Sequence, residues 1–362
     1  METVDRRQWL QWALATAGMA AAAPGYAQQQ SKAGASAIQG AGATFPALVY
    51  GRWADRFNGQ HAGIAVRYSP TGSGDGVRQV TARAVQFGGT DSPLSAAQLT
   101  QHQLIQIPMV VGGLVPVVNL PGIGPQALVL DGPTLALLMQ GEIRQWNDPR
   151  VAALNRNLSL PSLPVQRVVR TEASGSTEVL TRYLGLSLPA FAQAVPAAQK
   201  PAWPGSVLAA QGLDGVVDML RKTPGALAVV SFDRVLRDRL VAVRMRGVGA
   251  EPVVASEASF QQAILASDVY RKGDDLATLL AQPRAEAWPI TATSYVLLDA
   301  RPRDFASAQW AIRFVYWCFM HGDDLTRGTG FAALPDRVQA KLAGRLMQVR
   351  GPAGEVPDLS AA

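Results

Sequence analysis

One stretch of the chain combines residue types suited to binding an anion. An apolar run around Val168 is typical of a buried strand and ends at Arg170, after which Ser174–Thr177 opens an amphipathic helix. A helix N-terminus offers unpaired N–H donors and partial positive charge, and a guanidinium can bond two oxygens of one tetrahedral anion. The stretch therefore predicts an anion site. The alternative is that Ser174 only caps the helix and Arg170 only pairs with Glu172.

Three other small polar loops also lead into predicted helices, at Thr44, Ser73 and Asp91. In an open α/β sheet such loops gather at the carboxyl ends of the strands, where ligands bind. The alternative for each is a turn or helix-cap role without a ligand. None of the loops has the spacing of a dinucleotide or nucleotide phosphate motif.

Periodic apolar residues predict the elements that hold these loops. Positions 49, 53 and 57 share one helix face, and positions 64, 66 and 68 alternate as in a strand. A helix through Val77 and Val80 follows the Ser73 loop, and a strand over 85–87 precedes the Asp91 loop. Helices and strands thus follow one another around these loops, as they do in an open α/β sheet.

Composition limits the class of protein. The 362 residues are 48% hydrophobic and 17% charged, which predicts a globular chain long enough for two domains. The net charge of +6 is compatible with anion attraction, but scattered surface arginines explain it equally well. No long basic run occurs and aromatic residues are not interleaved with basic ones, so nucleic acid is not an expected partner.

The N-terminus has the order of a targeting segment. Arg6 and Arg7 precede an apolar run over 9–23, and small residues offer a cleavage point after Ala27. We expect residues 1–27 to be a signal peptide, read either by the twin-arginine or by the ordinary secretory route, and 28–37 to be a flexible lead-in. Cys318 is the single cysteine and cannot form an internal disulfide.

Five motifs in order resemble the periplasmic phosphate-binding protein of phosphate ABC transporters. They are 40–46, 72–76, 87–94, 170–177 and 287–291, and the similarity extends from about residue 38 to about 350. The resemblance implies a type II periplasmic binding protein fold, with two α/β lobes joined by two extended hinge crossings.

The resemblance also implies where the lobes begin and end. The crossings fall at Ile107–Val118 and Trp288–Leu298, both apolar and rich in β-forming residues. Lobe one is then 38–113 plus 292–350, lobe two is 114–291, and 351–362 is a C-terminal tail.

The phosphate ligands implied by the resemblance lie on both predicted lobes. They are Thr44, Phe45 through its backbone N–H, Ser73, Asp91, Arg170, Ser174, Gly175 and Ser176. Glu172 takes the place of the acid that orients the arginine. An ionised Asp91 only accepts hydrogen bonds, so it favours an anion that still carries a proton and disfavours sulfate.

Two positions depart from the family pattern. Gly74-Asp75 replaces the usual serine-glycine, and the segment 224–230 lacks the glycine-tyrosine that commonly follows this point. The Asp75 carboxylate could face the cleft and repel the anion, or lie in the first helical turn, complement the helix dipole and face solvent. The second interpretation is favoured, because Asp75 lies two residues beyond Ser73 and the two side chains diverge on a helical turn.

The predicted function is capture of inorganic phosphate in the cleft and its delivery to a membrane permease by a monomeric, exported protein without a cofactor. One alternative is a secreted phosphate-binding factor with no transporter. Another is a phosphatase that uses Ser174 or Ser73 as nucleophile, but the three histidines, His61, His102 and His321, lie in no motif beside the polar loops. No histidine–carboxylate metal motif is visible either, so we expect no enzyme.

Overall fold

The structure is a computed structural model that describes residues 36–249, 251–274 and 276–360. The predicted signal peptide, 1–27, lies outside the described residues, as does most of the predicted lead-in. No helix within the described ranges is long and apolar enough to span a bilayer.

Strands and helices alternate through most of the chain, as the periodicity predicts. The strands are β1 Ser36–Gly42, β2 Ile64–Ser69, β3 Phe87–Thr90, β4 Leu104–Asn119, β5 Val129–Asp131, β6 Gln166–Arg170, β7 Leu208–Ala210, β8 Ala226–Ser231, β9 Val241–Ala242, β10 Arg244–Arg246, β11 Thr291–Asp299 and β12 Phe331–Ala333.

The helices supply many of the buried apolar side chains. They are α1 Ala47–Gln60, α2 Ser73–Thr81, α3 Ala96–His102, α4 Gly132–Gln140, α5 Pro149–Leu154, α6 Gly175–Ser187, α7 Pro189–Ala194, α8 Gly212–Lys222, α9 Phe232–Asp238, α10 Glu257–Ala266, α11 Asp268–Lys272, α12 Phe305–His321, α13 Asp323–Thr326 and α14 Asp336–Leu346.

One long strand, β4, joins the two halves of a ten-stranded sheet, in which eight strands are ordered β2-β1-β3-β11-β4-β8-β6-β7 and β9 and β12 also pair with β4. Residues Leu104–Gly113 pair antiparallel with β11, and Leu114–Asn119 pair antiparallel with β8. The strand thus changes partner after Gly113, next to the predicted lobe boundary. Nearly all of β4 is buried, as expected for a strand covered on both faces.

The second predicted crossing lies beside the first. β11 runs between β3 and β4, and Trp288, which precedes it and is fully buried, donates its indole N–H to Leu114 O at 2.9 Å. The chain therefore passes twice between the halves along adjacent paths. The exact division into lobes, 38–113 plus 292–350 and 114–291, stays a prediction.

The structure shifts two of the predicted boundaries and attaches the predicted C-terminal tail to α12. Ser36 already pairs with Ile64 in parallel register, so the last two residues of the predicted lead-in belong to β1, where the ladder satisfies their backbone groups. The strand predicted over 85–87 is instead Phe87–Thr90. In the predicted tail, Asp358 pairs with Arg313 on α12 at 2.7 Å.

The strand β3 contains two glycines because neighbouring side chains approach its backbone closely. A Cβ at Gly89 would lie 2.1 Å from Tyr68 Oη, and one at Gly88 would lie 2.8 Å from a Val80 methyl group. The sequence pattern predicts that the strand ends before the glycine pair, since glycine is depleted in strands. Tertiary packing overrides that preference here.

Gly42, the last residue of β1, provides a test of this close packing. Its φ is +143°, and a Cβ there would lie 2.1 Å from Gly89 O. Gly42→Ala should lower the free energy of unfolding by at least about 1–3 kcal/mol, through backbone strain and the clash with β3. The measurement is chemical denaturation.

Gly51→Ala is the matched control for this prediction. Gly51 lies inside α1, and a methyl group added there would meet no atom of a neighbouring element within 4 Å, so alanine should stabilise the helix by about 0.5–1 kcal/mol. Equal stability of both variants would contradict the proposed packing at Gly42.

Candidate functional site

The predicted polar loops meet at one edge of the sheet. β1, β2 and β3 are mutually parallel, so their carboxyl ends bring the loops before α1, α2 and α3 together. β6 ends in the other half at Arg170 and leads into α6. Two hydrogen bonds link the loops: Gly72 N–H donates to Gly42 O at 2.8 Å, and Gly74 N–H donates to Ala173 O at 3.5 Å. The second bond joins the two halves.

Arg170 reaches from β6 to the loop before α1. Its side chain is only 7% exposed, and its Nη1 donates to Thr44 Oγ1 at 3.1 Å. Nε donates to Glu172 Oε1, while Nη2 lies close to the same oxygen but makes no hydrogen bond of normal geometry. The guanidinium therefore lies between an acid that orients it and a hydroxyl from the opposite half.

Glu172 holds the arginine and is itself anchored. Burial raises the pKa of Glu172, but the hydrogen bond and positive charge of Arg170 outweigh burial and lower the pKa overall. Glu172 Oε2 accepts from Gly212 N–H, at the start of α8, at 3.2 Å. The acid is therefore ionised at neutral pH and fixes one edge of the guanidinium.

The Asp91 carboxylate is buried beside these groups. Its Oδ2 accepts from Ser176 Oγ at 2.9 Å, its Oδ1 accepts from Ser294 Oγ at 3.0 Å, and its backbone N–H donates to Ser73 Oγ at 3.3 Å. Burial raises its pKa to about 6, although the two serine hydroxyls and Arg170 lower it. Asp91 is thus an acceptor close to the cleft at neutral pH.

The N-terminus of α6 supplies backbone donors. Ser174 Oγ accepts from Thr177 N–H at 3.3 Å, which makes Ser174 the helix cap. Within the described residues, no backbone or side-chain acceptor pairs with the N–H groups of Gly175, Ser176 or Phe45. Such unpaired donors at a buried edge suit an anion.

Ser174 therefore caps α6 and Arg170 pairs with Glu172, and both contacts are compatible with anion binding. The two contacts hold the Ser174 and Arg170 side chains at the edge of the sheet where the polar loops meet. Phe45 is 1% exposed and its ring packs edge-on against Phe331 at a centroid distance of 5.0 Å. Only its backbone is left for a ligand.

Gly175 allows the two halves to approach closely. A Cβ at this position would lie 2.5 Å from Ser73 Oγ and 3.0 Å from the backbone nitrogen of Asp91. The first turn of α6 therefore lies directly against the α2 loop of the opposite half. Together the structure brings into one region all the predicted ligands: Thr44, Phe45, Ser73, Asp91, Arg170, Ser174, Gly175 and Ser176. Their role as ligands stays a prediction.

Asp75 lies in the first turn of α2 and contacts its own helix. Its carboxylate pairs with Arg78 and accepts from Gln79, and its side chain is 17% exposed. Burial raises the pKa of Asp75, but hydrogen bonds from Thr71 and Gln79 and the charge of Arg78 lower it overall. The carboxylate thus lies in the first helical turn, as favoured from sequence, but it is covered by neighbours rather than freely solvated.

Sequence reasoning missed Ser294, which is fully buried and contacts Asp91 directly. It lies on β11, more than 200 residues along the chain from Asp91. The only sequence signal was a small hydroxyl residue just after the Trp288–Thr291 motif. Antiparallel pairing of β11 with β3 brings it to the site, since Tyr295 pairs with Thr90 and the next position faces Asp91.

The serines proposed as nucleophiles have no histidine bonded to them in the described residues. Neither Ser73 nor Ser174 hydrogen-bonds a histidine in the described chain, and His61 Nδ1 instead lies 2.9 Å from Phe57 O. No group of three or more His, Cys, Asp or Glu side chains in the described ranges could hold a metal ion.

Comparisons with known proteins identify relatives over most of the chain. A family model described as a PBP superfamily domain matches residues 24–320. The phosphate-binding protein PstS of Haemophilus influenzae is 32% identical over 301 residues, covering 83% of this chain and 90% of the relative. PstS of Pasteurella multocida is 32% identical over 309 residues, covering 85% and 89%.

Solved structures show the same fold. A periplasmic phosphate-binding protein, PfluDING, bound with phosphate has a TM-score of 0.67 at 21% identity and covers 85% of this chain and 93% of its own. The phosphate-binding protein from Stenotrophomonas maltophilia has a TM-score of 0.65 at 20% identity, with coverage of 85% and 93%. The predicted fold class, two α/β lobes with two hinge crossings, is confirmed.

Burial of Asp91 predicts a pH dependence of stability in the ligand-free protein. Its pKa is about 6 when folded against 3.8 as the reference, so the folded state holds the proton more tightly. The free energy of unfolding should therefore fall as pH rises from about 4 to about 6, by up to about 3 kcal/mol, and stay lower above that range.

Asp91→Asn should remove this component while other carboxyl groups titrate as before. The measurement is denaturant unfolding of both proteins at intervals of half a pH unit. The difference between wild type and variant isolates Asp91, and a difference that is constant from pH 4 to 7 would contradict the raised pKa.

Proposed function

The chain belongs to the phosphate-binding proteins of the PBP superfamily, and we propose that it captures inorganic phosphate between its lobes and delivers it to an ABC transporter. The observation that carries the proposal is the convergence of Arg170, Asp91 and three unpaired N–H donors at one buried edge between the halves. These groups, all within the described part of the chain, are complementary to a tetrahedral oxyanion that retains a proton.

Each predicted ligand has a defined part in this proposal. Arg170 supplies the full positive charge, oriented by Glu172. The N–H groups of Phe45, Gly175 and Ser176 and the hydroxyls of Thr44, Ser73, Ser174 and Ser176 stabilise oxygens through dipoles. Asp91 accepts a hydrogen bond from the protonated oxygen of the phosphate.

The contacts between the halves support binding by lobe closure. Ser176 to Asp91 and Arg170 to Thr44 both join groups from opposite halves. Phosphate oxygens can take the place of such contacts when the anion lies between the halves. The hinge crossings through β4 and β11 would allow the halves to separate and admit it.

The protein would act outside the cytoplasm as a binding protein rather than an enzyme. The relatives that it matches are binding proteins, and Ser73 and Ser174 have no histidine base in the described chain. We propose periplasmic location after export by residues 1–27, with the twin-arginine route suggested by Arg6 and Arg7. A monomer that docks on an inner-membrane permease is the proposed working form.

Arg170→Ala tests the main charge. Loss of a charge-assisted contact in a closed cleft should cost about 2–5 kcal/mol, so phosphate affinity should fall at least about tenfold. Isothermal titration calorimetry measures the loss. Since alanine leaves Glu172 unpaired, Arg170→Ala combined with Glu172→Gln separates lost binding from lost stability.

Asp75→Gly is the matched control for charge near the cleft. Its carboxylate pairs within α2, so affinity should change less than about threefold, with a slight loss of stability. A tenfold gain that grows as phosphate becomes dianionic would place Asp75 against the anion. Unchanged affinity in both folded Arg170 variants would remove Arg170 from the site.

Selectivity among tetrahedral anions tests Asp91. Arsenate carries a proton near neutral pH and should bind measurably, whereas sulfate offers only acceptors to the carboxylate and should hardly bind. Competition calorimetry at neutral pH gives the comparison. Sulfate affinity within about tenfold of phosphate, a gap of about 1.4 kcal/mol, would contradict this role of Asp91.

A further inference from the structure

The side chain behind Asp91 is Ser294, on the hinge strand β11. It is fully buried, and its hydroxyl donates to Asp91 Oδ1 at 3.0 Å. The pairing of β11 with β4 shifts register between Ser294 and Tyr295, which skips Met109 of β4 and leaves an irregularity at this point. Irregularities of this kind redirect side chains. The irregularity in β11 therefore lies at the position that brings the Ser294 hydroxyl to Asp91.

A second buried hydroxyl stands behind Ser294. Tyr50, on α1, is 1% exposed, and its hydroxyl makes no hydrogen bond of normal geometry within the described chain. Ser294 is nevertheless within reach of it. An unpaired buried hydroxyl is unfavourable, so a small rotation that lets Tyr50 donate to Ser294 is favourable.

The direction of these hydrogen bonds is determined by chemistry. An ionised carboxylate only accepts, so Ser294 must donate its single proton to Asp91 and can then only accept from Tyr50. When Tyr50 donates to Ser294, both hydroxyl protons are directed along this chain toward Asp91. Such a chain favours the charged form of the carboxylate.

We propose that Ser294, supported by Tyr50, is a positioning residue that keeps Asp91 in its acceptor-only form and thereby sets the discrimination between a protonated phosphate and sulfate. The inference rests on the proposed function, because it concerns selectivity at that site. A neutral Asp91 would carry a proton of its own and could donate to sulfate, so discrimination depends on the charge that Ser294 maintains.

Other groups around Asp91 act on the same equilibrium. Arg170 from β6 and Ser176 from α6 also favour the charged carboxylate, while burial opposes it and leaves the pKa at about 6. Tyr50 and Tyr68 have pKa values raised by burial, so both hydroxyls stay protonated at neutral pH. Asp91 is therefore the group near Ser294 whose charge changes close to neutrality.

Ser294→Ala should raise the pKa of Asp91 by about one pH unit, which would leave it about half protonated near pH 7. Carboxyl carbon NMR titration of the ligand-free protein measures this directly. Ser294→Thr keeps a hydroxyl and should stay near the wild-type value. Thr293→Val, a hydroxyl removal on the opposite face of β11, should leave the pKa of Asp91 unchanged.

The shift in the pKa of Asp91 predicts a change in the relative affinity for phosphate and sulfate. At pH 7 the phosphate-to-sulfate affinity ratio of Ser294→Ala should fall at least about tenfold, and it should recover about two pH units higher, where Asp91 ionises again. Tyr50→Phe should shift both properties less, in the same direction. If Ser294→Ala does not fold, Tyr50→Phe tests the proposal in its place.

An unchanged pKa and an unchanged affinity ratio in folded Ser294→Ala would overturn the inference. An equal shift in the pKa of Asp91 in Thr293→Val would also overturn it, because loss of either hydroxyl on β11 would then have the same effect. If the wild type binds no phosphate, the proposed function fails. The ligand-free titration still decides whether Ser294 controls the charge of Asp91.

Discussion

The structure depends on holding opposite charges out of water between its two halves. Asp91 comes from the first half and Arg170 from the second, and both side chains are almost fully buried. Desolvating a charge costs several kcal/mol unless hydrogen bonds or a partner charge compensate. Each charge accordingly has its own supports, hydroxyl groups for Asp91 and Glu172 for Arg170. These groups offset the cost of burying the Asp91 charge only in part, so the pKa of Asp91 stays raised.

The sheet makes this arrangement possible. β4 pairs with β11 over one part of its length and with β8 over the next, so it belongs to both halves. Parallel strands on either side end at the same edge and direct helix N-termini toward it. Glycines at three close approaches, Gly42, Gly89 and Gly175, let atoms of neighbouring segments come near their backbone where a methyl group would clash. An anion between the halves is thus met by backbone dipoles and few long side chains.

Selectivity then becomes a matter of proton position rather than of total charge. Phosphate, arsenate and sulfate have similar shapes, so shape alone discriminates weakly among them. A buried acceptor distinguishes an anion with a proton from one without, provided the acceptor itself stays ionised. Ser294 of the hinge strand β11 donates a hydrogen bond to Asp91. The hinge strand therefore affects whether this acceptor stays ionised, and through it the selectivity among anions.

Much of the site could be predicted from the sequence because its signals are local. A strand that ends at Arg170, a Ser-Gly-Ser-Thr helix start and the turn-forming loops at Thr44, Ser73 and Asp91 each depend on neighbours a few residues away. Five such motifs in order also sufficed to identify the family and its fold. The placement of Asp75 followed from helical geometry alone, although its burial against Arg78 and Gln79 did not.

Contacts between distant segments were decided only by tertiary structure. The glycine pair of β3 is a strand because Tyr68 and Val80 pack against it, and local preference predicted its end instead. Ser36 joins β1 because β2 offers it a partner. Ser294 reaches Asp91 only because β11 runs antiparallel to β3, a pairing that no local pattern encodes. The chain alone thus determined which groups could bind an anion, whereas strand pairing determined which of them meet and what holds Asp91 in its charged form.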